Sequence, residues 1–114
     1  MAAPNIVNIT SMIGKTDTTS LTTTSPTNIL ENAASSDRVL RVIMVRALNV
    51  DGSNAADITV SLYSAASLGG TATELIQAKE VAINTNLDVI TKDAPLYMEE
   101  DTSLGATASA ANDI

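Results

Sequence analysis

Residues 38–64 read RVLRVIMVRALNVDGSNAADITVSLYS, and the fold class turns on them. In an extended chain Leu40, Val42, Met44, Leu48 and Val50 share one face, while Val39, Ile43, Val45 and Ala47 share the other. A strand apolar on both faces is normally central, or is buried by something beyond its own sheet, so the pattern predicts one long strand over Arg38–Val50. Asp57–Ser64 alternates instead, with Ile58, Val60 and Leu62 pointing one way and Asp57, Thr59, Ser61 and Tyr63 the other. That is a strand with one face on a core and one in water. Two accounts compete for the stretch between them. Asp51, Asn54 and Asp57 could be oxygen ligands around a cation, or Asp51-Gly52 could turn the chain between paired strands. A calcium loop begun at Asp51 puts Ala55, Ala56 and Leu62 where it needs an oxygen ligand, the glycine and the closing glutamate. Asp-Gly between two strands is a strong hairpin signal. The stretch predicts a hairpin and no metal site.

The same criteria extend outward. Asn5–Met12 is a strand candidate carrying Ile6, Val7, Ile9 and Met12. TDTTSLTTTSPTN (16–28) has little to bury and predicts a Thr/Ser-rich loop over 16–26, or a weak edge strand. Thr27–Asn32 is a short strand followed by an AASSD turn. SAASLGGTAT (64–73) is a loop in which Gly69-Gly70 can take positive φ. ELIQAKEVAI (74–83) fits a short helix or a strand. The Asn84-Thr85-Asn86 turn and the alternation of Leu87–Lys92 favour a strand in a second hairpin. Pro95 cannot donate to a ladder and predicts an edge or terminal strand through Leu96-Tyr97-Met98, ending at a solvated Glu99-Glu100-Asp101. TSLGATASAANDI (102–114) is extended but weak. About seven short strands separated by turns predict an all-β, single-domain antiparallel β-sandwich, Ig-like or jelly-roll-like, over residues 1–114.

Composition narrows function by exclusion. The chain has 114 residues, 45% of them hydrophobic, with no Trp or Phe and two Tyr, so aliphatic side chains must fill its core. Such a core lacks the buried area that aromatics bring, and the domain would gain stability from neighbours. The net charge of −7 and the six scattered basic residues argue against nucleic acid and anionic membranes as partners. With no Cys and no His there is no disulfide, no thiolate nucleophile, no usual general base and no usual transition-metal ligand. No Ser-x-x-Lys, Gly-x-Ser-x-Gly or phosphate-binding glycine loop occurs, so the sequence predicts neither an enzyme nor a cofactor. The first residues, MAAPNIVNIT, carry no basic n-region, and a secretory signal is not expected. The Asn8-Ile9-Thr10 sequon is then a chance match. Val42-Ile43-Met44-Val45 is too short to span a bilayer.

PNIVNITSMIGKT, NAASSDRVLRVIMVRALNVDGSNAADITVSLY and LYMEEDTSLGATASAAND together resemble small virion structural proteins of marine tailed phages, of the T4-like cyanophage type. The resemblance covers more than half the chain and implies a β-rich particle component with no catalytic residue to carry over. It also implies a further strand beyond the position of Asp113. That strand could be dispensable, supplied by a neighbouring chain, or missing from the sequence.

The expectation is a bacteriophage capsid decoration or cement protein. It would be made in the host cytoplasm and bind the outer head surface as a homo-oligomer, with the major capsid protein as partner. The expected subunit contact is the face of Val39, Arg41, Ile43 and Val45, or its opposite, with residues 1–8 as an arm. Arg41 and Arg46 emerge at rims, unless one of them pairs with a carboxylate across a subunit contact. Two alternatives stand beside this: a tail, neck or fibre component, and a carbohydrate-binding adhesion module using Tyr63.

Overall fold

A computed structural model describes residues 14–114 and contains no helix among them. Strands are β1 (Thr27–Asn32), β2 (Leu40–Val42), β3 (Val45–Leu48), β4 (Ala56–Ala65), β5 (Gly69–Val81), β6 (Asn86–Ile90), β7 (Leu96–Met98) and β8 (Thr102–Ala108). Four of them form an antiparallel sheet in the order β1-β8-β4-β5. The remaining four pair as β2 with β7 and β3 with β6. These two pairs follow one another along the same two runs of chain. Val42 faces Leu96 and Val45 faces Ile90, so residues 43–44 on one run stand opposite 91–95 on the other. The result is one interrupted two-stranded ribbon. The chain is all-β, a small sandwich-like domain with the sheet as one layer and the ribbon as the other.

The core lies between the layers. In the sheet, Ile58 pairs with Ala108 and Val60 with Ala106, while Leu62 faces Leu104, so branched residues of β4 meet mostly smaller ones on β8. Ile58, Val60, Leu104, Ala106 and Ala108 are buried, and Val42, Ala47, Ile90 and Met98 meet them from the ribbon. Leu21, in the strand-free stretch before β1, is buried in the same cluster. Its N–H donates to Ile114 O (2.7 Å) and its carbonyl accepts from Asn112 N (2.9 Å), which ties that stretch to residues 112–114. Large and small side chains filling one another's space explain how a core without Trp or Phe closes.

Two buried asparagines join the layers. Asn32, at the end of β1, donates through Nδ2 to Arg38 O (2.9 Å) and to Met98 O of β7 (3.0 Å). Asn49, just past β3, donates through Nδ2 to Asn54 O (3.0 Å) and to Val81 O of β5 (2.9 Å), and its Oδ1 accepts from Asp51 N (2.8 Å). Both are inaccessible to solvent, and no buried side-chain polar atom among the described residues lacks a partner.

Several expectations need correction. Arg38–Val50 is two short strands, because Ile43 and Met44 turn outward at the interruption and shift the phase of burial from Val42 to Ala47. Asp51-Gly52 joins no hairpin: β3 pairs with β6, and β4 pairs with β5 and β8, so the turn carries the chain from ribbon to sheet. Residues 84–86 make no hairpin either, since β5 lies on β4 and β6 on β3. The segment 74–83 is extended, within β5 as far as Val81, which excludes the helical alternative. The C-terminal stretch read as weak contains β8, an inner strand with Ser103, Leu104, Gly105, Ala106 and Ala108 all buried. The strand candidate Asn5–Met12 and the arm over 1–8 lie outside the described residues.

The hairpin that does form joins β4 to β5 through Ala66-Ser67-Leu68-Gly69. Gly69 N donates to Ala66 O (3.1 Å), with Ser67 and Leu68 both at φ 58°. Positive φ at both central positions is the primed turn that suits β-hairpins, but here neither residue is Gly or Asn. Side chains from elsewhere hold it. Glu31 Oε1 accepts from Ser67 N (2.6 Å) and Oγ (2.9 Å), and Asp101 Oδ1 accepts from Ala66 N (3.0 Å). Ser103 Oγ accepts from Leu68 N (2.9 Å) and donates to Ala65 O (2.8 Å). Leu68 and Tyr63 then cover Gly105: a Cβ there would lie 2.8 Å from Leu68 Cδ2 and 2.8 Å from Tyr63 Cε1.

Two stability tests follow from this packing. Gly105→Ala is expected to cost about 1–3 kcal/mol in urea denaturation, because its methyl displaces two packed side chains. Asn49→Asp is nearly isosteric but replaces the donor facing two carbonyls with an anion. A loss of about 2–4 kcal/mol is expected, larger than that of Asn49→Ala, and equal losses would contradict the bonding described.

Candidate subunit-contact surface

Among the described residues seven large hydrophobic side chains are exposed, Leu75, Ile83 and Tyr97 singly and the other four within residues 43–50 at the outer face of the ribbon. Along β3 the even positions point away from the core: Arg46 and Leu48 are exposed where Ala47 is buried, and the parity continues to Met44 before the strand and Val50 after it. Ile43, Met44, Leu48 and Val50 are 50, 53, 51 and 61% exposed. Large apolar side chains gathered on one side of a small acidic domain mark an interaction site more reliably than single ones do.

At the interruption the ribbon opens into a shallow groove of about 290 Å³. Ile43, Met44, Arg46 and Asp88 line it with Thr91 and Lys92, and the mostly buried Ile90 lines it too. Arg46 faces Asp88 in the strand register, and its Nε donates to Asp88 Oδ1 at 2.6 Å. The carboxylate raises the Arg46 pKa above its ordinary value, first through this hydrogen bond and then through its charge. Arg46 thus pairs within its own chain, across two neighbouring strands.

The four residues expected to share a contact face do not lie together. Val39 and Val45 are half-buried, Val45 against the core cluster. Arg41 is exposed on β2, and only Ile43 joins the groove. Contiguity instead favours the opposite face, through Met44, Leu48 and Val50. A break in parity at residues 43–44 cannot be seen in an unbroken apolar run, so alternation alone groups Ile43 with Val45 and Ala47. Tyr63 lays its ring edge over Gly105 and is only partly exposed, a poor platform for stacking a sugar ring. Tyr97, at 47%, is the more open aromatic, and its lone position gave no sequence signal.

The acidic stretches are occupied by local bonds. Asp51 Oδ1 accepts from Ser53 N (2.7 Å) and Oδ2 from Asn54 Nδ2 (3.1 Å), closing the turn between ribbon and sheet. Glu100 Oε2 accepts from Asp37 N (3.0 Å), and Asp101 holds the β4–β5 turn, so the end of β7 fastens two loops instead of simply meeting water. Among the described residues no three acidic side chains gather as a metal site would require.

The bonds from Ser53 N–H and then Asn54 hold the Asp51 carboxyl below its ordinary 3.8. A carboxyl depressed by folding adds stability above its unfolded value, and that contribution is lost as pH falls through the lower folded value. The gap in melting temperature between the wild type and Asp51→Asn should therefore narrow as pH drops below about 4. A gap constant from pH 6 to pH 3 would contradict the assignment. In comparisons with known proteins, no family model, no curated protein and no solved structure matches the chain.

Proposed function

We propose that this chain is a non-enzymatic structural protein of a tailed-phage virion, a decoration or cement protein on the outer head surface. It acts there by adding contact area over junctions of the capsid lattice, with the major capsid protein as partner. One observation carries the proposal beyond the sequence resemblance: the chain exposes Ile43, Met44, Leu48 and Val50 together on its ribbon. Its net charge of −7 keeps free copies apart, and a specific contact that buries those side chains overrides the repulsion. A cement protein needs both properties. It must stay soluble at high concentration and still bind where the lattice presents a complementary surface.

The test is co-sedimentation of the purified protein with expanded, genome-free heads, counting bound copies per head. Saturation at a fixed ratio to the major capsid protein is expected. Ile43→Asp should weaken that binding by tenfold or more, about 1.4 kcal/mol, while leaving the melting temperature of the free protein unchanged. No binding to competent heads would overturn the cement role. About a dozen copies on intact particles, instead of hundreds, would move the protein to the neck or tail.

A further inference from the structure

We infer that the Asp51-Gly52 bond is a site of spontaneous isomerisation to isoaspartate, which the folded loop holds back through Ser53 and Asn54 and whose reaction undoes the Asn49 clamp. In this reaction Gly52 N attacks Asp51 Cγ. The nitrogen gives up its proton, the protonated carboxyl gives up its hydroxyl, and one water leaves as a five-membered succinimide closes. Water then adds back. Opening at Cγ restores aspartate, while opening at the main-chain carbonyl leaves the chain running through the side chain, one methylene longer. No oxidant, metal or enzyme is needed.

The sequence places the reaction here. Asp51-Gly52 is the only Asp-Gly in the chain, and Asn-Gly does not occur. A glycine after the aspartate matters because no Cβ obstructs its nitrogen. Gly52 is exposed, and its N–H makes no hydrogen bond among the described residues, so the nucleophile is free. The carboxyl it must attack is not. Ser53 N donates to Asp51 Oδ1 at 2.7 Å and Asn54 Nδ2 to Oδ2 at 3.1 Å, so both oxygens are held. Donors favour the ionised carboxylate, which has no hydroxyl to lose. The same two bonds fix the orientation of the group, and attack must wait for the loop to open.

The surrounding bonds give the reaction its consequence. Asn49 Nδ2 donates to Asn54 O (3.0 Å) and Asn49 Oδ1 accepts from Asp51 N (2.8 Å), so the buried amide closes a loop that contains the reactive bond. In the isoaspartyl form Cγ becomes the link to Gly52 and keeps one oxygen of the two that Ser53 and Asn54 hold. The loop that Asn49 spans grows by one methylene. Asn49 is inaccessible to solvent, and a donor drawn off its carbonyl there has no water to replace it.

The test uses the free protein, independently of head binding, and follows isoaspartate by fragmentation mass spectrometry of the peptide containing Asp51 during long incubation at neutral pH. Formation should be at least ~tenfold slower in buffer than in guanidinium chloride, the factor that hydrogen bonds to a charged group supply. Asn54→Ala, a change at an exposed side chain, should speed it in the folded protein about threefold, the low end for such a bond. Gly52→Ala should suppress it, and its Cβ meets the Asn84 side chain at an ordinary 3.5 Å, so the fold is kept. The isolated isoaspartyl form should melt at least ~5 °C below the parent, as the loss of a buried hydrogen bond would give. Equal rates in the folded and unfolded chain overturn the inference, as does an Asn54→Ala rate equal to that of the wild type. So does an unfolded chain that forms no isoaspartate at Asp51, or an isoaspartyl form as stable as its parent.

Discussion

Two buried amides hold the layers of this domain in register. Asn32 reaches from the sheet to the ribbon beside Met98, and Asn49 reaches from the ribbon to the sheet at Val81. Apolar contact between the layers is nondirectional, and Val, Ile, Leu and Ala would tolerate sliding. A buried amide does not tolerate it, because an unpaired donor or acceptor in that setting costs about 1–3 kcal/mol. With one such clamp near each end of the ribbon, any shift of one layer breaks bonds at both. The aliphatic core supplies attraction, and the asparagines select a single arrangement.

That arrangement explains why the ribbon can be interrupted without loss of order. Its two halves are short, and a two-stranded ribbon in isolation is marginal. Each half is anchored by its own asparagine and by core residues: Val42 and Met98 on one side of the break, Ala47 and Ile90 on the other. The break then turns Ile43 and Met44 outward, beside the groove containing Arg46 and Asp88. The exposed apolar face is thus a consequence of how the ribbon is held.

Much of this was legible in the sequence wherever a segment speaks for itself. The extent of β1 followed from its composition, the inward set Ile58, Val60 and Leu62 from alternation, and the start of β7 from Pro95. Pairing was not legible, because it is set by distant segments. Asp51-Gly52 makes a good turn locally, and nothing near it says that its flanking strands belong to different layers. Strand β8 reads as weak in sequence for a related reason. Ser103, Gly105, Ala106 and Ala108 bring little hydrophobicity of their own, and their value lies in fitting beneath Ile58, Val60, Tyr63 and Leu68. The outward face was half legible. Its apolar residues were evident, but their exposure depends on the change of parity at residues 43–44.

The turn at Ser67-Leu68 has a consequence for how the chain reaches this state. Its backbone conformation is one these residues seldom adopt alone, and the groups that satisfy it come from Glu31, Asp101 and Ser103. All three lie more than thirty residues away in sequence. The β4–β5 turn therefore lacks the local support that an Asn-Gly turn would give it. Its hydrogen bonds are complete only when Glu31 and residues 101–103 have come together beside it, a nonlocal requirement of the kind that slows folding. The turn between β4 and β5 is thus satisfied in full only with β1 and the start of β8 in place.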